Sequence, residues 1–448
     1  MKISSNSSDE RITPFRGIRY NQEKVKDLAK VICPPYDVIT PQQQKSYYDK
    51  SEYNIIRLEY TARQDEKSET DRIYKEAANT LQQWLANGVL YQDVNAAFYL
   101  HDHYFDYLGV RRKRRGLVTR VRLEPWYHNI YPHENTFPRA KSDRLQLMKA
   151  CQVNCSPILV LYDDSEDKLA TVRSGITESK PVIELSNSSE HHIVWAITEN
   201  ELINRISQLI TPKPLFIADG HHRYETAMIY RNEQLSDLSK LGQDENTAGF
   251  SSRDAINYIM MTLVDFSDPG LLMSPIHRLV RGIEHAALNE LKQRLEHFFI
   301  VESVSMNEST LGRLKHDMIG EAAMAVLGLE SQSITLLKER QDGSVKKLMP
   351  KEHTVAYNNL STNLFNYVVL AEVLGLTKDS DDIAYMADVD EAYQKIEEGA
   401  YQLAFLLTAP KTESIKDISL AKERMPYKST YFHPKLPTGL IMNPFFNF

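Results

Sequence analysis

One stretch constrains this chain more than any other. Leu215 to Ala218 is an apolar run that reads as a short strand, Tyr224 to Asn232 continues as a helix, and only Asp219-Gly220-His221-His222-Arg223 separates them. A strand that passes through one glycine into a helix is a unit of layered α/β architecture, because each element must bury an apolar face against another layer. The rest of the sequence repeats this alternation. Ile73, Ala77, Leu81 and Leu85 fall on one face of a helix predicted over Thr70 to Gly88, with Gly88 as its C-terminal cap. Phe98 to Tyr107 and Leu117 to Leu123 alternate apolar with polar residues and predict antiparallel strands. They are joined through a basic segment, Gly109 to Gly116, whose run Arg111 to Arg115 reads as a solvated hairpin tip. Ser156 to Tyr162 predicts a buried strand that ends at Asp163-Asp164.

After the predicted helix, Gln234 to Asp254 is polar and poor in large apolar residues, which suggests a surface segment and a candidate lid. Tyr258 to Phe266 reads as the opening strand of a second half. A helix marked by Leu288, Leu291, Leu295 and Phe299 follows, then a strand pair over Ala322 to Leu329 and Ser333 to Glu339. Asn363 to Leu376 predicts another helix, and Glu391 to Glu398 leads through Gly399 to a strand over Tyr401 to Thr408. The fold class is therefore α/β or α+β. At 448 residues the chain is about three times the ~150-residue domain prior, so two or three cores are expected. The expected division is an N-terminal half, 1–250, carrying the 219–223 turn, and a C-terminal α/β half, 251–448.

Composition decides which partners are excluded. Lys and Arg total 53 against 60 Asp and Glu, a net charge of -7, so no global basic field recruits nucleic acid or an acidic membrane. No window approaches the ~18 apolar residues of a membrane span, and Met1 to Thr13 lacks the apolar core of a secretory signal. Cys33, Cys151 and Cys155 cannot all pair within the chain and make a poor zinc frame, so reduced thiols in a cytoplasmic protein are expected. A homodimer is the base-rate expectation for a soluble enzyme.

The pentapeptide concentrates the chemistry. Unpaired N–H groups at a helix N-terminus, together with the macrodipole, favour a phosphate. Gly220 permits close approach of the backbone, and Arg223 can clamp phosphate oxygens in a fork. His221 and His222 can donate to phosphate or transfer protons near neutral pH, and Asp219 can hold Mg2+ or orient an imidazole. The alternative is that Asp219 caps the helix while the histidines satisfy a buried network. Common nucleotide and hydrolase motifs are absent: no P-loop, no Gly-x-Gly-x-x-Gly after a strand, no Gly-x-Ser-x-Gly, and His133-Glu134 lacks the second histidine of a zincin helix.

In its setting, Phe216 to Ala227, the pentapeptide resembles the signature of the bacterial and archaeal family known as domain of unknown function 1015, also described as SerK-like or ParB-like. Pro34-Pro35-Tyr36-Asp37-Val38-Ile39, His133-Glu134-Asn135-Thr136 with Lys141 to Leu145, and Asn154-Cys155-Ser156-Pro157-Ile158 fit the same family. So do Pro275-Ile276-His277-Arg278-Leu279 and Met425 to Phe432. The resemblance implies a ParB/sulfiredoxin-like core with large elaborations and a second C-terminal α/β half. It also implies that Asp219, Gly220, His221, His222 and Arg223 correspond to the phosphate-binding turn of free-serine kinases. The catalytic glutamate of those kinases has no alignable counterpart here.

On this basis the expected activity is ATP- or ADP-dependent phosphoryl transfer to a small hydroxylated metabolite, with free serine or O-phosphoserine leading and Mg2+ as cofactor. Asp37 or Glu134 would position or deprotonate the hydroxyl, with His221 and His222 as proton-transfer candidates. His133, Arg144, His277 and Arg278 would grip the substrate, and replacing Arg223 with Ala would remove nucleotide binding without unfolding the chain. Asp37 reads equally as an Asx-turn residue, and Arg144 as half of a structural ion pair. Two alternatives remain open: hydrolysis of phosphoserine, and a non-catalytic nucleotide-binding switch. DNA finds support only in Arg111 to Arg115. His101 and His103 alternate on one strand, but a metal site there needs a further ligand that the sequence does not identify, and His191-His192 reads as structural.

Overall fold

The computed structural model describes residues 10–60, 67–164, 169, 175–240, 255–315, 322–378 and 380–446. The chain divides into two units, one formed by residues 1–132, 136–271 and 434–448, the other by 133–135 and 272–433. The boundary thus falls at 271/272 rather than 250/251, and the last fifteen residues return to the first unit. The reason lies in one strand. All eight residues of Tyr258–Asp265 are buried, and it pairs in parallel with Ile158–Tyr162 and antiparallel with Val110–Arg122. A strand covered on both faces is a continuous apolar run, which carries no mark of the sheet it will join.

The first unit is built on a nine-stranded mixed sheet. Its order is Ile130–Tyr131, Leu215–Asp219, Ile158–Tyr162, Tyr258–Asp265, Val110–Arg122, Phe98–Tyr107, Glu190–Ile197 and Ile183–Ser186, with Ile12–Thr13 also paired to Val110–Arg122. Alternation along the strands splits the core in two. Tyr99, Val118, Val194 and Met260 join one cluster with Ala77, Leu81 and Trp84 of the helix Lys67–Ala86. Phe98, Leu100, Leu117, Ile259 and Met261 join the other with Ile203, Ile206 and Ile210 of the helix Asn200–Ile210. Leu81 is fully buried, which stabilises by roughly 1.5–3 kcal/mol. Gly88 adopts φ +63 just beyond that helix, the left-handed conformation expected of its cap.

The basic hairpin is tighter than its charge suggests. The second strand begins at Val110, so only Leu108 and Gly109 form the tip and Arg111 to Arg115 lie within the ladder. Arg115 forks onto Asp102 at 2.5 and 2.6 Å, Arg111 reaches Asp106 at 3.2 Å, and Arg114 is 1% exposed. Pairing across the strands explains these charges without a nucleic-acid phosphate. The helix after the turn is also longer than predicted, running His221–Lys240; the candidate lid beyond it, 241–254, lies outside the described residues.

The C-terminal return is threaded through the first unit. Thr438 bridges Cys33, the Gly439 N–H donates to the Cys155 carbonyl, Met442 bridges Ile18, and Asn443 pairs with Asn154. Gly439 has φ +85, and a Cβ there would sit 2.8 Å from Ile55 Cβ, so only glycine fits this crossing.

The second unit carries a six-stranded antiparallel sheet ordered Phe299–Ser305, Ser333–Glu339, Met324–Leu327, Leu403–Leu407, His277–Val280, Ile383–Met386. Leu291 and Leu295 of His285–Glu296 pack into its core, while Phe299, predicted on that helix, opens the next strand. Leu364–Val373 is wound as a π-helix, with the Leu374 N–H donating to the Val369 carbonyl. Among the described residues, no helix is long and apolar enough to cross a membrane.

Candidate functional site

The 219–223 turn belongs wholly to the first unit. Leu215–Asp219 pairs regularly with Ile158–Tyr162 until its register shifts between Ile217 and Asp219, an irregularity that re-aims the Asp219 side chain. Gly220 then takes φ +100, which a side chain disfavours, and His221 opens the helix. The Tyr224 N–H closes the first turn on the Gly220 carbonyl at 3.0 Å. The result is a helix N-terminus reached through one glycine, as the sequence predicts.

The charges around it are arranged differently from the expected metal-and-clamp scheme. Asp219 Oδ2 accepts from Arg223 Nη2 at 2.6 Å, and Asp219 Oδ1 pairs with the Lys435 ammonium from the C-terminal return. Burial alone would raise the Asp219 carboxyl, but Lys435 and Arg223 outweigh it and hold the group well below the usual carboxylate range. Both oxygens are thus occupied by cations, and a Mg2+ ligated directly by Asp219 would have to displace one of them. Asp219 therefore does not fit the role of a direct metal ligand. Arg223 is 8% exposed and also donates to the Pro157 carbonyl, so it clasps the turn to the start of the neighbouring strand. Replacing Arg223 with Ala therefore perturbs folding as well as any ligand, contrary to the expectation of a clean binding variant.

His221 is 2% exposed, whereas His222 is half-buried at the mouth of the turn. His222 Nε2 accepts from the Phe137 N–H at 2.9 Å, and its ring stacks on Phe137 with centroids 6.1 Å apart. Burial pushes the imidazole down, against the opposing pull of Asp37 and Glu225. Asp37 is exposed on the 3-10 turn Tyr36–Val38 and so brings a solvated carboxylate into the field of His222. Glu225 is fixed by Lys141 at 2.8 Å, Thr136 at 2.5 Å and the Trp126 indole at 3.2 Å.

Arg144 lies beside this group in a structural network. It is 6% exposed, donates to Asp143 and to the Glu59 carbonyl, and stacks over the Tyr36 ring at 4.1 Å. Arg144, Glu59, Arg223 and Ser156 line a cavity of about 40 Å³, room for little more than a water. The structure thus brings together Asp37, Arg144, Asp219, Gly220, His221, His222 and Arg223 in one unit.

The remaining candidates belong to the second unit, where they bond to groups of that unit. His133 Nε2 is 3.1 Å from the Thr430 hydroxyl, and its carbonyl accepts from the Met425 N–H. Glu134 Oε1 accepts from the Lys428 N–H at 3.3 Å, and the Glu134 carbonyl accepts from Arg424. Two segments that the sequence singled out separately, 133–135 and 425–430, therefore meet for a structural reason. His277 Nδ1 accepts from the Leu407 N–H at 3.2 Å, and burial pushes this imidazole down to about 4. Arg278 is 2% exposed, donates to the carbonyls of Ile276, Tyr427 and Lys428, and stacks on Tyr385. Held by backbone groups, His277 and Arg278 take a place in the sheet rather than the substrate grip expected of them. Sequence reasoning missed Lys435, which lies 216 residues from Asp219 with nothing local to mark it.

Solved structures similar to this chain include a conserved hypothetical protein from Pyrococcus furiosus, at 14% identity and a TM-score of 0.31, covering 72% of this chain and 93% of that one. Another is a free serine kinase in complex with AMP, at 14% identity and a TM-score of 0.31, covering 70% of this chain and 86% of that one. A third is SbnI with a C-terminal truncation from Staphylococcus aureus, at 11% identity and a TM-score of 0.32, covering 71% and 84%. Likenesses this low carry no argument about activity. No curated protein matches the chain. A family model matches residues 12–361, most of the chain, and by that match the chain belongs to the family described as "Protein of unknown function (DUF1015)".

Proposed function

We propose that this protein is a nucleotide-dependent phosphotransferase acting on a small hydroxylated metabolite, with free serine or O-phosphoserine as the leading substrate. The observation that carries the reading is the glycine-entered N-terminus of the helix His221–Lys240, flanked by Lys435 and Arg223 held in place on Asp219. Two cations around one carboxylate leave a net positive charge at a helix N-terminus, whose dipole adds to the field a nucleotide phosphate requires. ATP or ADP would be held there by its phosphates. Asp37 is the group best exposed to accept a hydroxyl proton, with His222 in its field. A ParB/sulfiredoxin-like identity for the core accompanies this reading.

Phosphorus NMR of the purified protein separates the possibilities. Three samples with Mg2+ are compared: ATP or ADP plus serine, O-phosphoserine plus ADP, and O-phosphoserine alone. Nucleotide-dependent interconversion is the expected result. Phosphate release from O-phosphoserine alone would replace the kinase reading with hydrolysis, and unchanged spectra in all three would remove the serine assignment.

A further inference from the structure

The sequence leaves His101 and His103 short of a ligand, and the fold of the first unit supplies two. Glu190–Ile197 pairs antiparallel with Phe98–Tyr107 in a register that sets His192 opposite His103 and Val194 opposite His101. Side chains two apart on a strand share a face, so His101, His103, Glu190 and His192 all project to the same side of the sheet. His103 Nε2 lies 3.7 Å from one oxygen of Glu190 and His192 Nε2 lies 3.4 Å from the other. One ligand atom from each of the three residues lies within 4.8 Å of the others.

We propose that His103, His192 and Glu190 form a binding site for a first-row divalent transition ion such as Zn2+ or Co2+. The separations are long for hydrogen bonds, yet close to the edge of a coordination tetrahedron, about 3.4 Å for bonds of about 2.1 Å. His103 is 1% exposed and its Nε2 has no hydrogen-bond partner, an expensive vacancy that a coordinate bond fills. His192 Nδ1 lies 3.0 Å from His101 Nε2; donation along that line leaves the His192 Nε2 lone pair for the ion and makes His101 the group that orients it. The Glu190 side chain is 29% exposed and gives the ion a route from solvent. Two imidazoles and one carboxylate suit a transition ion better than Mg2+ or Ca2+, so this site is chemically separate from any nucleotide-bound Mg2+.

Arg114 sets the terms of loading. Its Nη2 lies 3.3 Å from His103 Nδ1 and donates to the Pro434 carbonyl at 2.9 Å. His103 Nδ1 is therefore the acceptor and the metal-free ring carries its proton on Nε2; loading moves that proton to Nδ1, so the ring stays neutral, Nε2 presents its lone pair to the ion, and Arg114 gives up the ring contact while keeping the Pro434 carbonyl. The guanidinium keeps its charge beside the loaded site. It also repels ions held by charge alone, which further favours metals that bond strongly to imidazole.

The test is a Co2+ titration of the full-length chain after chelator treatment, followed by visible absorption, with Zn2+ and Mg2+ as competitors. The expected result is one Co2+ per chain with the intense bands of a four-coordinate ion, displaced by Zn2+ and not by excess Mg2+. Glu190→Gln and His192→Asn should each weaken binding at least about 10-fold, with His101→Phe weakening it by about 10-fold through orientation. Glu190→Gln, on a half-buried near-isosteric side chain, decides the matter if a histidine variant fails to fold. Absence of stoichiometric Co2+ uptake, or uptake unchanged in Glu190→Gln, would overturn the proposal and leave the imidazoles as a hydrogen-bonded core.

Discussion

Asp219→Asn is expected to lower the unfolding free energy by about 3 kcal/mol, measured by urea denaturation at pH 7. Lys435 and Arg223 are each 10% exposed at the side chain, and both point their charge at this carboxylate. The amide keeps the shape but removes the charge, which leaves two nearly buried cations facing each other. The double variant Asp219→Asn with Lys435→Gln should recover at least about 1 kcal/mol of that loss, because it removes one of the stranded charges. The folded carboxyl is depressed below its unfolded value, so the stabilisation is present above about pH 4 and fades as pH falls further. The single variant should therefore lose the same amount at pH 5 and pH 8. A loss below about 1 kcal/mol would mean that the pairs behave as exposed ones and do not organise the turn.

His277 gives the second large effect, in the second unit. Burial, with Arg278 adding to it and Asp388 opposing, holds the imidazole at about 4. An unfolded histidine titrates near 6.5, so between these values the unfolded chain binds a proton that the folded one refuses. Stability then falls as pH drops from about 6.5 toward 4, by about 3 kcal/mol from this residue. Protonation would also oppose the Leu407 N–H, which His277 Nδ1 accepts. Unfolding curves at pH 7, 5.5 and 4 for the wild type and His277→Gln should diverge by that amount, since other groups contribute equally to both. Parallel profiles would show that His277 is solvated more than its surroundings indicate.

These two sites show what was legible in the sequence and what was not. Local pattern carried the strand, glycine and helix of the turn, because an apolar run, a position needing φ > 0 and a helical period are properties of neighbouring residues. The partners of Asp219 were not local: Lys435 arrives on a C-terminal return that crosses at Gly439 and ends between Val153 and Ile18. The same limit explains Tyr258–Asp265, whose fully buried pattern identifies a strand but not its sheet. It also explains Arg111 to Arg115, a run that looks solvated until Asp102 and Asp106 are placed across the ladder. His101 and His103 were visible as an alternating pair, yet their register with Glu190 and His192 is a tertiary fact. For His277 and Arg278, sequence reported polar residue types, whereas burial and backbone hydrogen bonds decided their role.

The claim on which the functional reading depends is that a nucleotide phosphate binds at Asp219 to Arg223 with Lys435 beside it. Titration calorimetry of ADP with Mg2+ into the wild type and Lys435→Gln, with circular dichroism confirming that both are folded, tests it most directly. The account predicts saturable binding by the wild type and affinity at least about 10-fold weaker in the variant, the loss expected for one charge-assisted phosphate contact. No binding by the folded wild type, or equal affinity in the two proteins, would contradict it.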